Sequence, residues 1–237
     1  IGGWSRMASA TWVKRTRNRL SLYDLRKTKL TKKHLERLCR DHATSEPTLV
    51  VHLEFDPTPF FPNATTVAGE TDPRTQIEGQ YRGLDDIPSE SYKLIVCSGL
   101  LEHIVDPQRM LDTFYRILTP GGKLILSVSA VFSFHGCPHD YFHFTPYSMQ
   151  VLLKGWRHVS IKGNSQPFET IGILLQRITL QCEMSRSFRV LVELAALVVP
   201  FFDRFILQQY NSLLSQRDED CRTDSMMPAN LQIVALK

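Results

Sequence analysis

Glycine is absent between Gly3 and Gly69. The first third of the chain therefore has no glycine-rich turn, the device by which a backbone without Cβ closes tightly on a phosphate or nucleoside. Cysteine is sparse and unpaired: Cys39, Cys97, Cys137, Cys182 and Cys221 show no framework spacing. That excludes a disulfide scaffold and suits reduced thiols in the cytoplasm. No apolar run approaches the ~20 residues of a membrane-spanning helix. Ile1-Gly2-Gly3-Trp4 carries no apolar core with a cleavage site, so no targeting role is read there. Acids are scarce between Thr11 and Arg40, where 11 Lys/Arg face only Asp24 and Glu36; the local net charge of +9 leaves the rest of the chain at −5. Basic character is thus local to the amino terminus.

What is present is enough for one sizeable core, with 43% hydrophobic content in 237 residues. Leu20, Leu22, Leu25, Leu30, Leu35 and Leu38 recur at roughly helical intervals among the basic residues. Residues 1–46 thus read as a cationic amphipathic helical segment. Its expected role is a solvated face covering the sheet edge or a cofactor mouth. Docking on nucleic acid or another anionic surface is the alternative, but no aromatic stacking series accompanies the charge.

Lys93 to Ser129 carries the fold. Lys93-Leu94-Ile95-Val96-Cys97-Ser98-Gly99 is an apolar, β-branched run ending in small residues, the signature of a strand buried on both faces. From Glu102 to Leu118 the apolar positions take helical spacing, with Asp106-Pro107 as cap and first-turn proline. Pro120-Gly121-Gly122 stops that helix, and Lys123 to Ser129 is a second buried strand. Strand, helix and strand in under forty residues make a βαβ unit of a parallel sheet, whose ligands sit beyond the carboxyl ends of the strands. The ends concerned are Ser98-Gly99-Leu100 and Ser129 onward.

Three ordered segments then carry a resemblance: Leu101-Glu102-His103 to Asp106-Pro107, Arg116 to Gly122, and His135 to Pro146 with Asp140-Tyr141-Phe142-His143-Phe144-Thr145-Pro146. Over about residues 48–164 the chain resembles the class I S-adenosylmethionine (SAM) dependent methyltransferases, in the branch with LEH..DP, PGG and H..P.DY..FTP motifs. The resemblance implies a Rossmann-like α/β sheet, mostly parallel with an antiparallel last strand, with helices on both faces. It implies residues 47–237 as the catalytic domain, with 165–229 as a helical insertion before the last strand, and SAM as cofactor.

Residue by residue, the resemblance places the cofactor against Ser98, Gly99, Leu100 and His103, and after the first strand, Thr48 to Phe55, against Glu54. There the family's glycine loop is replaced by Glu54, Phe55, Asp56 and Pro57. Residues 56–64 are too few for a helical crossover, so an irregular proline-braced loop must reach the second strand, Thr65 to Glu70. Glu70 and Asp72 compete as the ribose-binding acid, since a carboxylate can accept from two vicinal hydroxyls, while a solvated turn acid is the plain reading. Gln80 stands where the family faces adenine, next to a short third strand near Gln80 to Leu84. Asp85 and Asp86 read as surface residues.

Glu102-His103 resembles the metal-binding pair of ubiquinone-type O-methyltransferases, but the third acid's place is Gly99. The plainer reading is a helix-start carboxyl and a pocket-floor imidazole. The loop from Ala130 to Phe144 holds His135, Cys137, His139, Asp140, Tyr141 and His143. Zinc accepts such ligand types, but the spacing is that of no common module, and the family loop keeps its His, Asp and Tyr without metal; no metal is expected. His135 is the candidate general base, an imidazole able to take a proton from a hydroxyl or amine, with Asp140 and Tyr141 orienting the acceptor. His143 occupies a family Arg position.

Thr145-Pro146 starts a helix to about Lys154, and His158 to Gly163 is a strand. Ile171–Met184 and Phe188–Leu214 are apolar at helical spacing, broken at Pro200, for core or homodimer packing; an acceptor tunnel or membrane contact is the rival. Asn230 to Leu236 closes the chain as the antiparallel strand. The function expected is methyl transfer to an O or N of a small metabolite, a sugar or natural product. A methyltransferase-like protein that has lost SAM, and runs another reaction or serves as a binding partner, is the alternative that the missing glycine loop raises.

Overall fold

The pleat of the central strands sorts their side chains into two cores. In a computed structural model, which describes residues 30–53, 55–67, 83–136, 138–213 and 222–237, Leu49 and Val51 of β1 (Thr48–Val51) point to one side and Val50 to the other. In β3 (Tyr92–Ser98), Ile95 and Cys97 oppose Leu94 and Val96 in the same way. Both faces are therefore apolar and both must be covered. One is covered by α2 (Pro107–Ile117), which buries Met110, Leu111, Phe114 and Ile117. The other packs against α1 (Leu30–Asp41), through Leu35, Leu38 and Cys39.

The strands run in the order β2-β1-β3-β4-β8-β5. β2 (Ala64–Val67), β1, β3 and β4 (Leu118–Ser129) are parallel, and β8 (Asn230–Leu236) is antiparallel to both β4 and β5 (Arg157–Gly163). This is the mostly parallel α/β sheet with an antiparallel last strand and helices on both faces. The β1–β2 crossover is irregular as expected, with Phe61 fully buried and the amides of Phe60 and Phe61 donating to the Pro57 carbonyl at 2.9 Å. Asp106 caps α2 by accepting from Arg109 N, and Thr145 with Ser148 forms a reciprocal capping box on α3 (Pro146–Leu152).

Four expectations need correction. The first strand ends at Val51 rather than Phe55, because His52 is left-handed at φ 56°. The helix starts at Asp106-Pro107 as expected but ends at Ile117 rather than at Pro120-Gly121-Gly122, because Leu118 already pairs with Tyr92 in the sheet, and the helical spacing ahead of it, at Leu101–His103, is a separate 3-10 turn. Leu84, at the end of the proposed third strand, lies in a turn; residues 80–82 fall outside the described set. The helix over Phe188–Leu214 instead comprises α5 (Arg186–Val198) and a 3-10 segment, Val199–Phe205, ahead of a small hairpin of β6 (Gln209–Tyr210) and β7 (Arg222–Thr223). Glu54, Glu70, Asp72, Gln80 and Cys137 also lie outside the described residues, as does the cationic segment before Leu30.

The helical insertion folds as a hairpin of α4 (Pro167–Gln181) and α5. Asp203 of the 3-10 segment caps α4, accepting from Phe168 N and Glu169 N at 2.8 and 2.7 Å. α5 buries Val192, Ala196 and the carboxyl of Glu193, which accepts from Arg189 Nε at 3.0 Å, and leaves Phe188, Leu191, Leu194 and Val198 exposed. The greasy stretch is thus turned largely outward rather than into the core. Among the described residues no helix is long and apolar enough to cross a membrane.

Gly172 is where this hairpin closes. A Cβ there would stand 2.6 Å from the Pro200 ring and 3.1 Å from the Ala196 carbonyl. Alanine gains up to about 1 kcal/mol of helix propensity, but overpacking against a rigid ring costs about 1–3 kcal/mol. Gly172→Ala is therefore expected to lower unfolding free energy by roughly 1 kcal/mol in a denaturant titration; a stabilised variant contradicts the close packing.

Candidate active site at the strand ends

β3 ends in a sharp turn. Gly99 adopts φ 63°, its amide donates to the Ser127 carbonyl of β4 at 3.0 Å, and a Cβ on it would lie 3.8 Å from the His52 ring. The His52 ring is pinned by its Nδ1 donating to the Ser98 carbonyl at 2.5 Å, while Ser98 N donates to the His52 carbonyl at 3.1 Å. An imidazole thus occupies the turn after β1 where the family has glycine-rich backbone. Beyond it opens a cleft of about 110 Å³. Its floor is Ser98, Gly99, Glu102, Ser127 and Ser129, at the carboxyl ends of β3 and β4. Lys32 and Leu35 of α1 form one wall, and Gln176 and Arg177 of α4 another. The walls are joined by His34 Nε2 and Glu169 Oε1, 2.8 Å apart.

Glu102 is the buried polar centre of this floor. Its side chain has no solvent exposure; Oε1 accepts from Ser129 Oγ at 2.6 Å, and Oε2 has no partner. Its carbonyl accepts from Tyr141 N and Phe142 N at 2.8 and 3.2 Å, while Phe144 N donates to the Ser129 carbonyl at 2.8 Å. The loop after β4 is thereby sewn onto the strand ends. His103 continues the seam, donating from Nδ1 to the His139 carbonyl at 2.6 Å. Gly136, at φ 64°, fits against it because a Cβ there would stand 2.9 Å from the His103 ring.

His135 lines the cleft. Its backbone amide donates to Asp140 Oδ2 at 2.8 Å, its Nδ1 faces the Ser133 carbonyl at 3.2 Å, and Asp140 Oδ2 stands 3.5 Å from Nδ1. A carbonyl can only accept, so Nδ1 carries the proton in this arrangement and Nε2 keeps the lone pair. Burial lowers the imidazole's pKa below its ordinary value; the Asp140 charge opposes this and the neighbouring His103 adds to it. The ring is therefore neutral near pH 7 and can accept a proton.

The structure brings together His135, Asp140, Ser98 and Gly99 around one cleft and its rim, with His103 directly behind His135 at a ring separation of 4.7 Å. Leu100 instead sits in the hydrophobic core, 2% exposed. The Tyr141 hydroxyl is turned to His139 Nδ1 at 2.8 Å, and the residue is 38% exposed at the rim. Glu102 was read from sequence as a helix-start carboxyl or half of a metal-binding pair, not as a buried hub, and His52, Gln176 and Arg177 drew no attention. A fully buried carboxyl is set by long-range packing, which local spacing does not encode. Ser98, Gly99 and Glu102, whose Oε2 has no partner, line the cleft and are the candidates to hold a cofactor. Two sets, Glu102/His103/His135 and His135/Asp140/His143, have ligand atoms within 4.8 Å of one another and are candidates for a metal.

Comparison with known proteins gives the family. A methyltransferase-domain family model matches residues 20–187, more than half of the chain. Short stretches are similar to ubiquinone biosynthesis O-methyltransferases: 34% identity over 55 residues with that of Xanthomonas oryzae pv. oryzae and 44% over 39 residues with that of Coxiella burnetii. The former match spans 22% of this chain and 23% of the relative, the latter 16% and 17%. Under a quarter of each relative's length is therefore covered. Among solved structures, phosphoethanolamine N-methyltransferase 2 of Haemonchus contortus aligns with a TM-score of 0.50 at 14% identity, covering 86% of this chain and 52% of that one, a likeness of fold. From the extent of the family match and the sheet that agrees with it, the chain belongs to the methyltransferase-domain family, with the class I architecture.

Proposed function

We propose that the cleft transfers a methyl group from S-adenosylmethionine to an oxygen or nitrogen of a small metabolite of the sugar or natural-product kind. The observation that carries this reading is the pairing, across one cleft, of a buried carboxyl oxygen without a partner and an imidazole with an available lone pair. Glu102 Oε2 is a buried acceptor without a partner at the cleft lining, a fitting counterpart for a cationic group. The left-handed, Cβ-free Gly99 and the short Ser98, Ser127 and Ser129 side chains leave room beside it. These features fit a sulfonium-bearing nucleoside cofactor, with Ser98, Gly99 and Glu102 as its holders. The relatives support the same donor: the Haemonchus contortus enzyme was solved with S-adenosylhomocysteine and phosphomonomethylethanolamine.

When bound, that cofactor supplies a methyl group already activated for displacement. This chain's own residues do the rest. His135 Nε2 takes the proton of the acceptor hydroxyl or amine, and Asp140, bonded to the His135 amide and beside Nδ1, holds the ring in the tautomer that leaves Nε2 free. Gln176, Arg177 and Asn164 line the same cleft with amide and guanidinium groups, a set suited to a polyhydroxylated acceptor. Tyr141 and His139 brace the rim. The cleft of about 110 Å³ is below the ~300 Å³ at which sites for whole cofactors begin. Entry therefore requires lining side chains such as Phe55 and Lys32 to move aside.

Two outcomes check this reading. With labelled SAM and a panel of sugar and phenolic acceptors, His135→Ala is expected to lower kcat by about 10²–10⁴-fold with SAM affinity unchanged; full turnover by the variant removes the base assignment. Ser129→Ala leaves the Glu102 side chain without its hydroxyl donor and is expected to cost about 1–3 kcal/mol in chemical unfolding. An unchanged midpoint would show that Glu102 does not depend on Ser129.

A further inference from the structure

The rim of the cleft holds a second chemistry. Of the four buried side-chain atoms left without a hydrogen-bond partner among the described residues, three belong to one short stretch of the loop after β4: His139 Nε2, Asp140 Oδ1 and His143 Nε2. Buried polar atoms are seldom left unsatisfied, and a cluster of them marks a place that a water or an ion completes. Asp140 Oδ2 stands 3.5 Å from His135 Nδ1 and 3.6 Å from His143 Nε2. Both are long for hydrogen bonds. Two atoms about 2.0–2.1 Å from one tetrahedral ion stand about 3.3 Å apart, so these separations match the edges of a coordination polyhedron. The Asp140 side chain is only 7% exposed, and the two imidazoles beside it are 23% and 24% exposed.

We propose that His135 Nδ1, the Asp140 carboxylate and His143 Nε2 form a binding site for a divalent first-row transition cation, with zinc as its representative. Two imidazoles and one carboxylate are donors such ions accept, whereas magnesium prefers an all-oxygen shell. His143 makes the site: the arginine found there in the resembling family can pair with Asp140 but offers no lone pair. Coordination has a consequence for catalysis, which rests on the function proposed above. A metal on Nδ1 takes that nitrogen's lone pair, so the neutral ring's single proton, held toward Ser133 in the metal-free form, moves to Nε2. The metal-bound and proton-accepting forms of His135 therefore exclude each other, and zinc acts as an inhibitor competing for the base.

The test is calorimetric titration of chelator-stripped full-length protein with Zn²⁺ and, separately, Mg²⁺, followed by methyl-transfer assays. One Zn²⁺ per chain at micromolar affinity or tighter, with no Mg²⁺ binding, is expected. His143→Arg, which keeps a cation beside Asp140 and so preserves the loop, is expected to weaken Zn²⁺ at least 100-fold while retaining turnover. The wild type should lose at least tenfold in turnover on zinc loading and the variant should not. His103→Ala is expected to leave zinc affinity within a fewfold; if that variant abolishes binding and His143→Arg does not, the ion sits on Glu102 and His103 and the proposal is overturned. Absence of zinc binding to the wild type at about 100-fold excess, where a bound ion would be readily measurable, also overturns it. Zinc bound through His143 without loss of turnover would leave the site standing and refute His135 as the base.

Discussion

The hydrogen bond from Ser129 to Glu102 joins the carboxyl ends of β3 and β4 inside the protein, where neither group has water as an alternative partner. The later half of the loop after β4 is held to the strand ends around that pair, while its start is tied to Pro228, Ala229 and α4. The Glu102 and Ser129 carbonyls take the amides of Tyr141, Phe142 and Phe144, and His103 holds the carbonyl of His139. A loop anchored at four points can present His135, Asp140 and His143 at defined separations, which a free surface loop cannot. Buried hydrogen bonds of this kind contribute modestly when made and cost far more when broken, so the arrangement acts as a constraint on geometry more than as a source of stability.

The same constraint explains how a methyltransferase fold survives without a glycine-rich turn. Room at the cofactor mouth normally comes from missing side chains after the first strand. Here His52 turns left-handed and binds back to Ser98, and Phe55 lines the cleft. Space is recovered on the other side, where Gly99 lacks a Cβ and the floor is made of serines. The remaining walls come from α1 and α4, distant in sequence and tied by His34 and Glu169. Thr31, Lys32 and Leu35 of α1 are thus part of the cleft wall.

The strands and caps were legible because their signals are local. An apolar β-branched run such as Leu94 to Cys97 has few alternatives to a buried strand, and Asp106-Pro107 and Thr145-Pro146 announce helix starts through side-chain chemistry that the structure reproduces. Asn230 to Leu236 alternates as a strand should, and lies antiparallel. What was not legible depends on partners far along the chain. Helical spacing shows that Gln176 and Arg177 lie near one another, but not that their helix faces Ser98. Similar spacing in α5 suggested a buried apolar face, yet Glu193 with Arg189 faces inward and Leu191 outward. The left-handed turn at His52 is a tertiary override: no local rule puts an imidazole at positive φ, and only its bond to Ser98 accounts for it. Of the site, His135, Asp140, Ser98 and Gly99 were visible through the ordered motifs, whereas Glu102 as a buried hub was not.

The most direct measurement of the central claim, that the strand-end cleft still admits an adenosyl cofactor, is a crystal structure of the protein soaked with S-adenosylhomocysteine. The account expects the ligand against Ser98 and Gly99, its amino group toward Glu102, with the Phe55 ring displaced from the cleft. A cleft found empty at millimolar ligand, with Phe55 and His52 in place, would contradict it.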